Sequence, residues 1–349
     1  MKAIVYNIFG LGHINPTLPL VKQLVDVGVD VIYHSSPERK ELIESTGAVF
    51  RNYGYDSYKA DDFNPGKNFV LQTLPAARGL LPFLLAEIEK ERPDFLIYDS
   101  MAPWGKILSE ITGITSFCTV TTFALSLERK QKMFTRFQIT PDEENQKAIQ
   151  YFQDEFGISL RLEDALGAYS ENNIVFTSKE FNPPVEKEEN FDFMGPSIER
   201  EEDLSGFVIP HRSKKVITMS LGTLLREEDP SVTDWYKELI KAFADDPDYE
   251  LILAGGDLGE LPSNVNSYEK IPQLFALRHS DVFIHHAGMN SLNEGLHFGV
   301  PMLVIPHSKD QFINAERLVE SGKGLSLNRS QVKAHILRSC VERLIGRAV

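Results

Sequence analysis

The sequence has few cysteines and fewer basic than acidic residues. Its two cysteines, Cys118 and Cys340, are too few and too far apart for a disulfide framework or a cysteine-based metal site. Lys and Arg number 36 against 50 Asp and Glu, and a net charge of −14 opposes binding to a polyphosphate chain. The composition therefore predicts no nucleic-acid partner and a reducing compartment.

Long hydrophobic runs are missing too. No run approaches the roughly 18 apolar residues that a membrane-spanning helix needs, and the stretch 3–8 is too short for a signal peptide. We therefore expect a cytoplasmic protein without a transmembrane segment. The contents of 42% apolar and 25% charged residues are typical of folded globular proteins, and 349 residues suggest two domains.

Short β-branched runs alternate with longer helical patterns along the chain, which predicts the α/β class with parallel sheets covered by helices. In the first half we predict strands 3–8, 29–34, 48–50, 95–98, 115–120 and 174–176, and helices 16–27, 37–46 and 104–112. In the second half we predict strands 216–220, 249–253, 282–285 and 302–305, and helices 232–244, 288–298, 312–320 and 330–345.

The segment 195–215 has the proline, glycine and acidic residues of a linker. We place the boundary inside it, between a domain at 1–205 and a domain at 206–349. The expected fold is two Rossmann-like, doubly wound domains that face each other across a cleft. The aromatic residues Phe134, Tyr151 and Phe152 of the first half either line a ligand pocket or pack in the core.

The loop after the first strand contains two glycines, Gly10 and Gly12, and suggests dinucleotide binding. The G-x-G-x-x-G fingerprint requires a third glycine, where this chain has Asn15, and an acidic residue after the second strand, where it has Tyr33 and His34. We therefore reject a nicotinamide site.

His13 in this loop is a candidate general base, since a position near a helix amino terminus favours neutral imidazole. In a sheet of strand order 3-2-1-4-5 the first and fourth strands are neighbours, so Asp99 emerges beside the loop. The carboxylate would hold one ring nitrogen as N–H while the other accepts a proton. The alternative is that His13 is a loop residue without a catalytic role.

Two turns of the second half are candidate anion sites. One is 220–223, where Ser220 and Thr223 offer hydroxyls and backbone N–H groups. The other opens the helix at Gly288, with His286, Asn290 and Ser291 around the free N–H groups, and would hold a diphosphate without a metal. The alternative is that Asn290 and Ser291 only cap the helix.

Further polar side chains follow the same edge of the second sheet. Glu294 lies one helical turn after Asn290 and can accept hydrogen bonds from two ribose hydroxyls. Asp310 and Gln311 follow the next strand and suit sugar hydroxyls, or else cap the helix predicted from Phe312.

Metal and hydrolase sites are poorly supported. Asp246 and Asp248 spell D-x-D, but on a turn that precedes a strand. The histidines lack the spacing of a zinc site, and neither Ser100 nor Ser220 lies in a G-x-S-x-G elbow. We expect no metal and no other cofactor.

The chain resembles the inverting, nucleotide-sugar-dependent glycosyltransferases of GT-B architecture, above all the bacterial macrolide and natural-product branch. The resemblance spans most of the chain. It rests on Gly12-His13-Ile14-Asn15-Pro16, on Pro272-Gln273, on His286-Ala287-Gly288-Met289-Asn290-Ser291 with Glu294, on Gly299-Val300-Pro301 and on Asp310-Gln311.

The resemblance implies a role for each matching residue. His13 would be the general base and Asp99 its partner. The diphosphate would contact Ser220, Thr223, His286, Asn290 and Ser291, the ribose Glu294, the base Gln273, and the transferred sugar Asp310 and Gln311. The resemblance also implies UDP-glucose as donor and a macrolide, flavonoid or other phenol as acceptor.

The sequence departs from the family pattern twice. Lys270-Ile271 stands where many relatives have a tryptophan that stacks on uracil. Relatives usually continue past the last helix with a crossover helix, which we expect to be missing from a chain that stops at Val349. Two alternatives remain: a nucleotide-sugar-binding protein of this fold without transfer activity, and an epimerase of UDP-GlcNAc.

Overall fold

The computed structural model describes residues 1–53, 68–198, 200, 202–208, 213–222, 232–307 and 309–346. None of the helices within these residues has the length and apolarity to cross a membrane. The chain forms two compact units, Met1–Ser197 and Ile198–Val349. The division falls within the linker-like segment but ahead of position 205, because Glu202 accepts hydrogen bonds from the N–H groups of Leu274 and Phe275 and so belongs to the second unit.

The first unit contains a seven-stranded parallel sheet of order β3-β2-β1-β4-β5-β6-β7, which extends the predicted order 3-2-1-4-5. Its strands are β1 (Lys2–Tyr6), β2 (Asp30–Ser35), β3 (Val49–Asn52), β4 (Phe95–Asp99), β5 (Ser116–Val120), β6 (Asn173–Val175) and β7 (Phe191–Phe193).

Seven α-helices accompany this sheet among the described residues: α1 (Leu11–Ile14), α2 (Leu18–Asp26), α3 (Lys40–Glu44), α4 (Val70–Glu91), α5 (Pro103–Thr112), α6 (Leu127–Arg136) and α7 (Glu143–Phe156). The core on one face of the sheet includes Phe134 and Phe152, both buried, which favours the packing interpretation of these two aromatic residues. The helix predicted at 37–46 begins as a 3-10 turn, Pro37–Arg39, before α3.

Helix α5 packs very closely on β4. A Cβ on Gly105 would come within 2.2 Å of Tyr98 Cβ, so only glycine permits this approach. Tyr98 also donates a hydrogen bond to the carbonyl of Ala168. These contacts fix the end of β4, and therefore the position of Asp99.

The helical segment after β1 begins earlier than predicted. The predicted helix spans 16–27, but α1 starts at Leu11 and continues through a 3-10 turn, Asn15–Thr17, into α2. His13 consequently lies inside the first helical turn, whose N-cap is Gly10.

The second unit contains a six-stranded parallel sheet of order β10-β9-β8-β11-β12-β13. Its strands are β8 (Lys215–Ser220), β9 (Tyr249–Leu253), β10 (Val265–Ser267), β11 (Val282–His285), β12 (Met302–Val304) and β13 (Gly324–Ser326). Its described helices are α8 (Val232–Phe243), α9 (Gln273–Leu277), α10 (Met289–His297), α11 (Lys309–Glu320) and α12 (Ala334–Ile345).

Two helices of this unit start elsewhere than predicted. Helix α11 begins at Lys309 instead of 312, so Asp310 and Gln311 lie in its first turn. Helix α12 begins at Ala334 instead of 330, because Asn328 and Gln331 cap each other reciprocally around a separate 3-10 turn.

Candidate functional site

One candidate cluster lies at the carboxyl edge of the first sheet. Tyr6 at the end of β1 is paired with Tyr98 of β4, so the loop that carries His13 and the strand end at Asp99 are neighbours. The structure therefore brings together the two residues that the strand order predicted to meet.

His13 and Asp99 form a close pair. Nδ1 of His13 lies 3.0 Å from Oδ1 and 2.9 Å from Oδ2 of Asp99, and Asp99 is buried. The backbone N–H of Met101 donates a further hydrogen bond to Oδ1 at 2.9 Å. A buried carboxylate in this position holds the Nδ1 proton and leaves Nε2 as the nitrogen that accepts one.

Thr121 is a third member of this cluster, and no motif in the sequence indicated it. Its Oγ1 lies 2.8 Å from His13 Nδ1 and donates to Asp99 Oδ2 at 3.3 Å. Both contacts fit a single arrangement, in which the hydroxyl donates to the carboxylate and accepts from Nδ1–H. Its place in the sequence could have indicated it: Thr121 follows β5 directly, and β5 lies next to β4, where Thr119 pairs with Asp99.

A buried network of hydrogen bonds holds the loop that carries His13. The side-chain amide of Asn7 donates to the carbonyl of His13 at 3.1 Å and to the Tyr33 hydroxyl at 2.8 Å, which lies 2.8 Å from Thr17 Oγ1. Burial raises the pKa of Tyr33, so its hydroxyl keeps its proton. The network fixes the backbone of His13, and with it the direction of the imidazole.

A separate candidate cluster lies at the carboxyl edge of the second sheet. Ser220 at the end of β8 is paired with His285 at the end of β11, so the turns that follow are neighbours. Ser220 is buried, whereas Thr223 lies outside the described residues. Gly288 is the N-cap of α10 and, as a glycine, supplies no side-chain cap of its own, so the first-turn N–H groups can donate to an anion placed there.

The predicted caps have other contacts. Asn290 and Ser291 lie inside α10, and the Ser291 hydroxyl accepts a hydrogen bond from the Gln273 side chain at 3.1 Å. Neither residue therefore serves as the N-cap that the alternative interpretation required.

The backbone before α10 has an unusual conformation. Ala287 has a φ of 66°, in the left-handed region that non-glycine residues rarely occupy. Its carbonyl accepts a hydrogen bond from the buried side chain of Asn314 on α11 at 2.9 Å, and its N–H bonds to Nδ1 of His285 at 3.2 Å. Asn314 thus holds the turn that aims the helix, a role the sequence did not reveal.

The imidazole of His286 lies between the two turns. A Cβ on Gly288 would come within 2.5 Å of its Nε2, and a Cβ on Gly222, whose φ is 80°, would come within 3.0 Å of its Cε1. Burial lowers the pKa of His286 to about 4, so the ring is neutral at pH 7 and carries one N–H donor.

Glu294 lies on α10 and is almost fully buried. Its Oε1 accepts from Nη1 of Arg200 at 2.6 Å and its Oε2 accepts from Nε2 of Gln273 at 2.6 Å. Gln273, the first residue of α9, thus contacts both Ser291 and Glu294. Gln273, Ser291 and Glu294, which the family resemblance assigns to binding of the sugar donor, therefore form one hydrogen-bonded cluster.

Asp310 and Gln311 lie at the start of α11. The side-chain oxygen of Gln311 accepts a hydrogen bond from the backbone N–H of His307, ahead of the helix, at 2.7 Å. Asp310 is exposed, and its carboxylate counteracts the lowering of the His286 pKa.

Two observations concern the residue types that could bind a metal ion. No group of three or more His, Cys, Asp or Glu residues suited to a metal ion occurs in the part of the chain that the structure describes. Asp246 of the D-x-D sequence forms an ion pair with Arg338 at 2.9 Å and accepts from the N–H of Asp248, which are structural contacts.

Comparison with known proteins places these features in a family. Residues 237–349 match the family model described as erythromycin biosynthesis protein CIII-like, C-terminal domain. The chain is 30% identical to NDP-glycosyltransferase YjiC of Bacillus licheniformis, over 98% of this chain and 89% of that protein. It is 29% identical to YdhE of Bacillus subtilis, named as an uncharacterized UDP-glucosyltransferase, over 99% of this chain and 90% of that protein.

Solved structures agree. The glycotransferase of kitacinnamycin superposes with a TM-score of 0.83 at 29% identity, over 99% of this chain and 90% of that one. Two Rossmann-like parallel-sheet domains are the GT-B fold of these enzymes. The chain therefore belongs to the nucleotide-sugar-dependent glycosyltransferases of the macrolide and natural-product type.

Proposed function

We propose that this enzyme transfers glucose from UDP-glucose, with inversion and without a metal ion, to a hydroxyl of a small hydrophobic acceptor. The observation that carries the proposal is the buried His13–Asp99–Thr121 cluster at the end of the first sheet. It holds one histidine nitrogen as a donor, as a general base requires.

In the proposed reaction His13 Nε2 takes the proton of the acceptor hydroxyl. The oxygen forms a bond to the anomeric carbon while the bond from that carbon to the diphosphate oxygen breaks, and UDP leaves with the bonding electrons. Asp99, buried and hydrogen-bonded to Met101, stabilises the imidazolium that forms.

The donor diphosphate is assigned to the start of α10. The helix N-terminus at Gly288 and the neutral N–H donor of His286 favour an anion there, as do the hydroxyls of Ser220 and Ser291 and the amide of Asn290. Thr223 is assigned to the same group by its place in the sequence. This electrostatic stabilisation of the leaving group takes the part that a divalent cation plays in other transferases.

The ribose is assigned to Glu294, the base to Gln273 and the glucose to Asp310 and Gln311. A carboxylate accepts from two vicinal hydroxyls at once, which favours UDP over a 2′-deoxy nucleotide such as dTDP. The name of the YdhE relative supports UDP-glucose as donor.

A hydrophobic acceptor is supported by the surroundings of His13. The rings of Phe9, in the same loop, and Phe69, just before α4, are only partly buried and meet edge to face at 5.7 Å. The family model, described by erythromycin biosynthesis, points to natural-product acceptors.

The test is UDP release from UDP-glucose in the presence of EDTA, with a pool of phenolic and macrolide acceptors, against the same mixture without acceptors. We expect acceptor-dependent release by the wild-type protein and none by His13→Ala, while both proteins bind UDP equally. Turnover by His13→Ala at the wild-type rate would remove His13 as the base. Release that requires added Mg²⁺ would contradict metal independence.

A further inference from the structure

The carboxylate assigned to the ribose already has strong partners on both oxygens. Arg200 donates to Oε1 of Glu294 and Gln273 donates to Oε2, both at 2.6 Å, and the Glu294 side chain is 5% exposed. Bonds between charged groups at this distance are among the stronger hydrogen bonds in proteins. A ribose hydroxyl that donates to Oε1 must therefore compete with the guanidinium of Arg200 for that oxygen.

Arg200 lies in a short segment, residues 200 and 202–208, that we call the strap. Its acidic residue Glu202 accepts hydrogen bonds from the N–H groups of Leu274 and Phe275 at 2.9 and 2.8 Å, and so caps α9. The ring of Phe207 lies 5.1 Å from that of Tyr268, whose hydroxyl accepts from the N–H of Val208 at 3.0 Å. The strap is thus attached to the second unit at several points besides Arg200.

The burial of Glu294 gives the ion pair a clear physical reason. A buried carboxylate without a cation or a full set of hydrogen bonds is costly, and Arg200 supplies both charge and a donor. Arg200 itself is 37% exposed in its side chain and has a second, longer contact with Glu202 at 3.4 Å, so its guanidinium can leave Glu294 while Glu294 stays in place. The arginine is the more easily displaced partner.

We propose that Arg200 masks the ribose-binding carboxylate of Glu294 and thereby sets the affinity of the enzyme for its sugar donor. This inference rests on the donor site proposed above. Donor binding exchanges the guanidinium on Oε1 for a ribose hydroxyl. Glu202 keeps the strap docked on α9 during this exchange, so Arg200 remains near Glu294 and returns when UDP leaves.

The test compares UDP binding by wild-type protein and Arg200→Ala in calorimetric titrations. Removal of the mask should tighten the Kd for UDP roughly three- to tenfold, the effect expected for a partly exposed ion pair to a buried carboxylate. Arg343→Ala, which removes an exposed arginine from α12, is the matched control and should leave the Kd unchanged.

Two further titrations locate the effect. With 2′-deoxy-UDP, which lacks one of the hydroxyls that Glu294 accepts, the gain from Arg200→Ala should shrink. In a Glu294→Gln background, where the ion pair is already absent, Arg200→Ala should have no effect on the Kd.

The outcomes distinguish a failure of the Arg200 mask from a failure of the proposed donor site. Weaker or unchanged UDP binding by Arg200→Ala, with binding by the wild type intact, would overturn the mask and make Arg200 either a donor contact or a bystander. No UDP binding by either folded protein would refute the donor site itself, and the mask with it.

Discussion

His286 lies directly against the backbone of Gly288, with Nε2 only 2.5 Å from the position that a Cβ of residue 288 would occupy. The imidazole therefore occupies the side of Gly288 on which a Cβ would lie, and no side chain can be added there without moving it. Two residues predicted to face the same diphosphate thus constrain each other.

Gly288→Ala tests this contact. The new methyl group forces the His286 ring away from the start of α10, and we expect UDP affinity to fall at least tenfold. Calorimetric titration measures the change. The backbone of Gly288, at φ −62°, suits alanine, so the fold should persist and the melting temperature should drop by only a few degrees.

Gly346→Ala at the end of α12 is the matched control, because its Cβ would have an ordinary contact of 3.4 Å. Equal UDP affinity in both alanine variants would contradict a donor site at Gly288.

The low pKa of His286 makes stability depend on pH. Its pKa is about 4 in the folded protein, below the usual value of 6.5, because burial disfavours the charged ring. Above pH 6.5 the ring is neutral in both states and the contribution is complete. As the pH falls from 6.5 to 4, the unfolded chain binds the proton first, and stability is lost.

We expect His286→Gln to lose less stability than the wild type between pH 6.5 and pH 4.5, by about 1–2 kcal/mol. Urea unfolding at the two pH values measures the difference. Because His34 has a lowered pKa of about 3 for the same reason, both proteins should weaken in acid, and only the difference between them reports on His286. Identical losses would contradict the lowered pKa of His286.

Thr121 should act through His13. Thr121→Val keeps the shape of the side chain and removes the hydroxyl that contacts both His13 and Asp99. We expect kcat to fall about tenfold, equivalent to about 1.4 kcal/mol, with little change in the KM for UDP-glucose. Thr121→Ser restores the hydroxyl and should recover most of the rate. A valine variant with wild-type kcat would make Thr121 a packing residue only.

Asn314 should be needed for the turn before α10. Asn314→Leu leaves the carbonyl of Ala287 without its side-chain donor in a buried environment, which costs about 1–3 kcal/mol of unfolding free energy. The measurement is chemical denaturation with and without UDP. Because the turn aims the helix, we also expect a smaller stabilisation by UDP than in the wild type. Unchanged stability would show that Ala287 holds its left-handed conformation alone.

Much of the fold follows from hydrophobic patterning. The predicted strands 249–253 and 282–285 coincide with β9 and β11, since each is a short, mostly apolar and buried run between turn signals. The neighbourhood of His13 and Asp99 followed from strand order alone, because parallel strands end at one edge.

Other features had no local signal. Strands β7, β10 and β13 are three residues each, too short for a period to be visible, and they form only as edges of existing sheets. Thr121 and Asn314 act through contacts with residues distant in sequence, which no motif encodes. Arg200 lay in a segment whose composition indicated a linker, and its ion pair with Glu294 emerges only when the strap folds onto α9.

The position of the strap bears on how such enzymes can be recombined. His13, Asp99 and Thr121 all precede Ser197, whereas Arg200, Glu202 and the donor-signature residues all follow it. A chimaera joined between 197 and 198 inherits Arg200 together with its glutamate. A junction at 205/206 separates them, and leaves the recipient's carboxylate facing whatever residue a foreign linker supplies. Exchange of acceptor modules between relatives should therefore succeed most often when the crossover precedes the strap.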